Sequence, residues 1–402
     1  MKILVLNCGS SSIKYQVIDM KSTTEYTLLG KGIVERIGLS DAILTHKPVG
    51  KPVYEIVRGI PDHTCGINLI LDALVDPEHG VLENLTEIAA VGHRVVHGGE
   101  YFKESALIDK EVKQKIEACF DLAPLHNPAN LKGILAMEHI LPGTPQVAVF
   151  DTSFHQTMPP KSFMYALPYK YYEDYKVRRY GFHGTSHRYV AEKACELFDV
   201  DMKHSKIVTC HIGSGASVTA ILNGKSYDTS MGFTPVDGLI MGTRSGDIDP
   251  AFVEYLCNKE NLTVSEVLNI LNKKSGMEGL TGGKSDFRDL EEGYEAGDQA
   301  CIDAIEVFCY NVARFVGAYA ASLNGVDVIA FTAGIGENSG FVRGKICEYL
   351  GYLGITIDAE QNSKRGEDII ISTPDSKVTV CVIPTNEELM IARDTKALVE
   401  AQ

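Results

Sequence analysis

Ile3-Leu4-Val5-Leu6-Asn7-Cys8-Gly9-Ser10 returns as Ile207-Val208-Thr209-Cys210-His211-Ile212-Gly213-Ser214, in register at an offset of 204 (207 minus 3), about half of the 402-residue chain. In each copy an apolar, β-prone run ends in a Gly/Ser turn, Gly9 to Ser12 and Gly213 to Ser217, then resumes as strand over Ile13 to Ile18 and Val218 to Leu222. The pattern predicts two tight hairpins. Glycine lets a backbone approach an anion closely and serine hydroxyls add donors, so two such turns facing each other would clamp a polyphosphate between two related domains. Gly/Ser turns are common, and two unrelated hairpins are the plainer alternative.

At about 150 residues per domain, the length suggests two or three domains, each able to bury a core. A formal net charge of −15 without a sustained Lys/Arg run argues against nucleic acid or an anionic membrane as partner. An anionic substrate would need local Arg, Lys or metal. The ten cysteines are scattered with no C-x-x-C pair, which suits reduced thiols better than disulfides or a structural zinc site. Met1 runs directly into a strand, with no basic leader and no apolar stretch of membrane-spanning length, so the expected location is cytoplasmic.

Strand and helix patterns alternate, as in an α/β protein. Val91 to Val96 and Gln146 to Phe150 read as strands, with a helix over Pro128 to Ile140 between them. Later helices are expected over Ser186 to Phe198, Pro250 to Asn258 and Val264 to Lys273, the last opened by a capping box of Thr263 and Glu266. A long helix from Asp298 to about Leu323 precedes a strand over Val326 to Thr332. No low-complexity tether separates the halves, so the boundary should be a hinge near Asp151, with the final helix, Glu387 to Glu400, crossing back to the first domain.

Four clusters carry chemistry. Gly92-His93-Arg94-Val95-Val96-His97-Gly98-Gly99 sets Arg94 beside a strand that breaks into glycines, where a guanidinium could grip a carboxylate or phosphate through two parallel hydrogen bonds. A structural ion pair is the plainer alternative. The pairs His93/His97 and His183/His187 share the H-x-x-x-H spacing of zinc sites, but neither carries the Glu of H-E-x-x-H. Met241 to Pro250 holds a second arginine, Arg244, in a glycine-flanked loop before a helix; arginines from different halves could close on one transferring phosphoryl group. Thr332-Ala333-Gly334-Ile335-Gly336-Glu337-Asn338 follows a strand and suits a nucleotide loop. It is no Rossmann fingerprint, because Gly334, Gly336 and Gly340 are spaced one residue too long, and Gly282-Gly283-Lys284-Ser285 completes no P-loop, whose first glycine would fall on Glu278. Finally, Asp151 at a strand end and Glu387 at the start of the last helix suit Mg²⁺, directly or through water. For Glu387, helix N-terminal electrostatics is the alternative.

Asn7 to Lys14, Gly92 to Gly99, Pro124-Leu125-His126-Asn127-Pro128, Phe150-Asp151-Thr152-Ser153-Phe154-His155, Tyr180 to His187, Met241 to Pro250 and Gly334 to Asn338 together closely resemble the acetokinase family, in order over essentially the whole chain. The resemblance implies the duplicated ribonuclease-H-like α/β fold of the acetate and sugar kinase, chaperone ATPase and actin superfamily, with two domains around a nucleotide cleft. Residues 1–151 plus 387–402 would form the acyl-substrate side and 152–386 the nucleotide-binding domain. The resemblance also implies Mg²⁺, with Mn²⁺ as a substitute, held by Asn7 and Glu387, and ATP contacted by Lys14 and Ser12. His211, Ile212, Gly213, Ser214 and Gly215, then Asp286, Phe287 and Arg288, then Gly334, Ile335, Gly336, Glu337 and Asn338 would line the ATP site. Arg94 would bind the acyl substrate, with Val96, Leu125, Phe182 and Pro235 around its methyl group. His183 and Arg244 would stabilise the transition state, and Asp151 would be an acid/base or a Mg²⁺–water residue. A homodimer is implied. One position departs from the family pattern H-[IL]-G-N-G: Ser214 stands where Asn is usual, which puts the role of that side chain in doubt but not that of the loop backbone.

The implied activity is reversible in-line transfer of the γ-phosphoryl group of Mg·ATP to acetate, giving acetyl phosphate and ADP. An aliphatic carboxylate with a pKa near ~4 is ionised at pH 7, so no general base is required and Asp151 is better read as an organiser of Mg²⁺ or its water. Each methylene is worth only ~1–3 kcal/mol in a pocket, which leaves propionate kinase and butyrate kinase as near alternatives. A non-kinase actin-like ATPase such as a chaperone or filament protein is more remote, because no client-binding domain or assembly insert is visible; against a pyrophosphate-using relative, the intact Gly334 to Asn338 loop argues for an adenosine site.

Overall fold

The first copy of the repeated stretch is strand β1 (Lys2–Cys8), buried from Ile3 to Leu6 as a strand covered on both faces must be. It turns back into β2 (Ile13–Met20), and the sheet continues antiparallel through β3 (Tyr26–Glu35), β4 (Ala42–Pro48) and β5 (Tyr54–Arg58). On the other side of β1 runs β6 (Ile88–Val95), parallel to it; β7 (Ala106–Leu107) is a short edge strand, and β8 (Gln146–Phe150) lies between these two.

The second copy is β9 (Lys206–Ile212), onto which a shift of 204 residues carries Lys2–Cys8. β9 pairs antiparallel with β10 (Ala216–Leu222), and β10 with β11 (Lys225–Thr229). On its other side β9 is parallel to β12 (Val328–Thr332); beyond that, β13 (Ile369–Ile370) edges β14 (Thr379–Val382), which is parallel to β12. The series β3-β2-β1-β6-β8 and β11-β10-β9-β12-β14 therefore share one order and one set of strand senses. This is the duplicated ribonuclease-H-like, actin-like ATPase fold.

The structure, a computed structural model, describes Met1–Gln402. It separates into one unit of Met1–Gln156 with Asn386–Gln402 and another of Thr157–Thr385. In the first, helix Glu387–Glu400 buries Leu389, Met390, Ile391 and Ala392 against the sheet. Gly92 on β6 admits it: a Cβ there would fall 2.5 Å from Thr395 Oγ1 and 2.6 Å from Ile391 Cγ2. In the second, helix Gln299–Ser322 starts where the Asp298 side chain accepts from Ala300 N, and Cys301, Ala304, Ile305, Phe308, Val312 and Val316 form its buried stripe. The capping box of helix Val264–Lys273 is present, with Thr263 Oγ1 accepting from Glu266 N and Glu266 Oε2 from Thr263 N.

One expectation needs correction: Ala333–Asn338 is a short helix, not a loop. Glu337 folds back so that its Oε1 accepts from Ala333 N (2.7 Å) and Thr385 N (3.0 Å), which closes the turn on itself. All ten cysteines are free, and burial pushes the thiols of Cys8, Cys119, Cys309 and Cys347 up to about 12, leaving them unreactive. No helix is long and apolar enough to cross a membrane.

Asp228 on β11 gives a stability prediction. Burial raises its carboxyl to about 6, against the pull of Arg179 and of the Thr229 N–H that donates to it at 2.8 Å. The native state thus holds this proton more tightly than the unfolded chain, so the group's contribution is full below about pH 4 and is lost as pH rises through about 6. Asp228→Asn should stabilise the protein by about 1–2 kcal/mol at pH 8 and hardly at all at pH 4. Urea midpoints for variant and parent that coincide at pH 8 would contradict this.

Candidate functional site

Arg94 comes from β6, and Asp151 directly follows the adjacent parallel strand β8, where Arg94 is in register with Val149. Their side chains form a two-pronged pair, Nε donating to Oδ1 at 2.9 Å and Nη2 to Oδ2 at 2.5 Å, with Asp151 1 % and Arg94 22 % exposed. Nη1 donates to Asn7 Oδ1 at 3.3 Å, which ties in the end of β1. The ion pair that the sequence left open is therefore real: it commits Nε and one N–H of Nη2, Asn7 takes an N–H of Nη1, and each Nη keeps a second N–H. Burial works against the charge on Arg94, but Asp151, Glu387 and Glu388 outweigh it and hold the guanidinium above the usual arginine value.

Glu387 stands at the start of its helix in the same unit. Burial, with Asp151 and Glu388 nearby, pushes its carboxyl up to about 7 against the pull of Arg94 and Lys14. Its Oε1 is buried without a hydrogen-bond partner. That buried, unsatisfied oxygen is the kind of donor a divalent cation satisfies, so Glu387 fits a single contact to Mg²⁺. Two asparagines on helix Asn127–Ile140 brace this corner. Asn130 accepts from Val96 N (3.0 Å) and donates to Cys8 O (2.7 Å), joining the ends of β6 and β1, and Asn127 accepts from His97 N (3.0 Å) and donates to His97 O (2.8 Å). Val96 is buried and Leu125 is 67 % exposed. Lys14 is exposed on β2, in register with Asn7, and the Ser12 carbonyl accepts from Gly9 N.

The zinc spacings lead to no metal site. His93 Nε2 and Gln146 Oε1 are 2.7 Å apart, and burial lowers the ring to about 4; His97 Nδ1 accepts from Gly99 N. His183 and His187 both bond to Ser217 Oγ. No three His, Cys, Asp or Glu side chains are grouped as a metal-ion cage.

In the other unit a cavity of about 750 Å³ opens beside the second hairpin turn. Of the residues expected at ATP, Gly213, Ser214, Asp286, Phe287, Arg288, Gly334, Ile335 and Asn338 line it. His211, Ile212, Gly215, Gly336 and Glu337 do not: Ile212 and Gly336 are buried behind the wall, His211 Nδ1 bonds to Ser186 Oγ, and Glu337 closes its own helix. Asp286 caps helix Phe287–Glu295 and is held down to about 2 by the Arg288 side chain and backbone. The wall also includes Glu291, Glu292, Glu295 and Arg365, which the motifs did not reveal. Arg343, fully buried, ties helix Ala333–Asn338 to the segment before Arg365, donating to Gly336 O (2.9 Å), Asn362 Oδ1 (2.9 Å) and Lys364 O (3.0 Å).

His183 and Arg244 meet beside this turn. A Cβ on Gly215 would lie 3.6 Å from both His183 Nε2 and Arg244 Nη1, so the bare glycine leaves these two groups facing a common point. His183 has φ 55°, left-handed backbone that costs energy in a non-glycine residue and orients the ring. It stacks on His211 with ring centroids 4.0 Å apart. Arg244 Nη1 donates to Pro235 O at 3.3 Å, and burial lowers its proton affinity. Phe182 is buried nearby in sequence.

The pattern of arginines, glycine turn and duplicated sheet matches a known family over nearly all of its length: the sequence model of the Acetokinase family covers residues 2–393. The chain belongs to the acetokinase family. It is 56 % identical over 401 residues to the acetate kinase of Caldanaerobacter subterraneus subsp. tengcongensis, spanning 100 % of this chain and 99 % of that one. Among solved structures, Porphyromonas gingivalis acetate kinase matches with a TM-score of 0.95 at 47 % identity, and a propionate kinase from Francisella tularensis subsp. tularensis with 0.91 at 43 %, each over 99 % of both chains. As a member of the acetokinase family the protein is a kinase, a phosphotransferase with a carboxyl group as acceptor.

Proposed function

We propose that this protein acts as an acetate kinase, moving the γ-phosphoryl group of ATP to acetate, reversibly and with Mg²⁺, to give acetyl phosphate and ADP. The observation that carries this reading is the 56 % identity, end to end, with a protein of that name. An acetate oxygen attacks Pγ in line as the bond from Pγ to the bridging oxygen breaks, and the electron pair leaves with ADP. With a pKa near ~4 the acid is already ionised, so no proton has to be removed. Asp151, whose two oxygens accept from Arg94, therefore orients that guanidinium and takes no proton.

Arg94 offers the remaining N–H of each Nη to the carboxylate, while Arg244 and His183 meet the oxygens of the phosphoryl group, which offsets the repulsion between two anions. Val96, Leu125, Phe182 and Pro235 border the acyl methyl. The 750 Å³ cavity takes the nucleotide, with its phosphates toward Gly213 to Gly215; Lys14 and Ser12 keep the ATP-contact roles that the family resemblance gives them. Asn7 and Glu387 would hold Mg²⁺ and Asp151 would order its water; a cation bound there would offset phosphate charge. A cytoplasmic homodimer belongs to the same reading.

Trapping acyl phosphate with hydroxylamine tests it. Acetate should give the most hydroxamate, propionate about 10- to 100-fold less in kcat/KM, and butyrate less again. No hydroxamate from any of the three acids would remove the function. Preference for propionate is the second reading, favoured by the match to the Francisella propionate kinase; a higher kcat/KM for propionate than for acetate would install it.

A further inference from the structure

Arg94 and Arg244 are held in opposite ways. The guanidinium of Arg94 is forked onto Asp151, whereas that of Arg244 bonds only to Pro235 O and Met241 Sδ, both uncharged. With no ion pair to fix it, the Arg244 side chain depends on where its backbone stands, and that backbone is gripped along its length. Met241 N donates to Arg244 O at 3.1 Å, which closes the turn. The three carbonyls before Arg244 all accept from one short stretch: Met241 O from Met277 N (3.0 Å), Gly242 O from Glu278 N (2.9 Å) and Thr243 O from Ser275 N (3.0 Å). Ser245 N donates to Leu271 O at 2.9 Å and Thr243 Oγ1 to Asn272 O at 3.1 Å. The end of helix Val264–Lys273 and the start of helix Gly276–Thr281 thus form a cradle for the turn.

Gly276 is the floor of this cradle. Its φ is 61°, and a Cβ there would fall 2.0 Å from Met241 O, 2.6 Å from Arg244 O and 3.0 Å from Arg244 N. Any other residue would bring both left-handed strain and a carbon driven into two carbonyl oxygens, so the turn would have to lift. On the turn's other side, Gly242 N donates to Ser214 O at 3.2 Å, and Gly242 and Ser214 both line the 750 Å³ cavity. The cradle therefore sets Arg244 against the wall of that cavity.

We propose that Gly276 and Thr243 are positioning residues for Arg244, holding its turn at the place from which the guanidinium meets the phosphoryl group. The proposal rests on that role of Arg244. Gly276→Ala should lower kcat about 10²-fold, the cost of moving a reacting group by about 1 Å, with the KM for acetate within about twofold. In an Arg244→Ala background the same change should cost less than about twofold, because the group it displaces is already gone. Thr243→Val keeps the side chain's shape and loses the bond to Asn272 O, and it decides the test if Gly276→Ala does not fold. Its kcat should fall about 10-fold in the parent, hardly at all beside Arg244→Ala, and return with Thr243→Ser. Unchanged kcat in folded Gly276→Ala, or in Thr243→Val where that is the variant available, overturns the proposal, as do losses that multiply in the double variants. A near-normal rate for Arg244→Ala alone is a different failure, since it removes the role of Arg244 itself.

Discussion

Arg94→Ala and Arg244→Ala are each expected to lower kcat with Mg·ATP and acetate by about 10³-fold or more, the scale on which a guanidinium acts on a transferring phosphoryl group. Their secondary effects should differ. Arg94 is placed to bind the carboxylate, so its loss should also raise the KM for acetate; loss of Arg244 should leave that KM nearly unchanged. Arg94→Ala also strands Asp151, only 1 % exposed, as an unpaired buried charge, which costs on the order of 3–5 kcal/mol of stability. Arg244 bonds to Pro235 O and Met241 Sδ, and its removal leaves no buried charge behind. Steady-state kinetics beside thermal melts will separate these effects. Near-normal turnover in both variants would defeat the assignment of either arginine to the reaction. Lysine should rescue poorly at position 94, because one ammonium cannot hold both Asp151 oxygens and also offer two N–H groups to a second carboxylate.

Asp151→Asn is expected to reduce kcat by about 10²- to 10³-fold although the side chain keeps its shape. Asparagine can accept one of the two Arg94 N–H groups, but its amide turns N–H₂ toward the other, donor against donor. The guanidinium then leaves the place where its fork held it. If Asp151 also orders the water on Mg²⁺, excess Mg²⁺ should return part of the lost rate. A rate that follows one ionisable group, with metal affinity unchanged in the variant, would give Asp151 a proton-transfer role instead.

The central strands β1 and β9 were legible because strands buried on both faces must be continuously apolar, and a repeated run is visible without any knowledge of pairing. β3 to β5 were not. Tyr26–Glu35 interleaves Gly30, Lys31 and Gly32 with apolar residues and is partly exposed along both faces, so it lacks the strict alternation that marks a strand. The arginines and glycine turns of the site stood out as motifs. The pairing of Arg94 with Asp151 did not, since it depends on β6 and β8 being neighbours, a fact of sheet order. Glu291, Glu292 and Glu295 escaped notice for another reason: on helix Phe287–Glu295, whose Phe287 and Leu290 are buried, they look like any solvated charged face.

Helix Glu387–Glu400 completes the sheet that begins at Lys2, yet it lies beyond the whole of Thr157–Thr385 in the chain. On the ribosome, the face of β6 that Gly92 keeps flat must therefore wait uncovered while the second half-molecule is translated and can already assemble. The half that emerges first is the last to be finished.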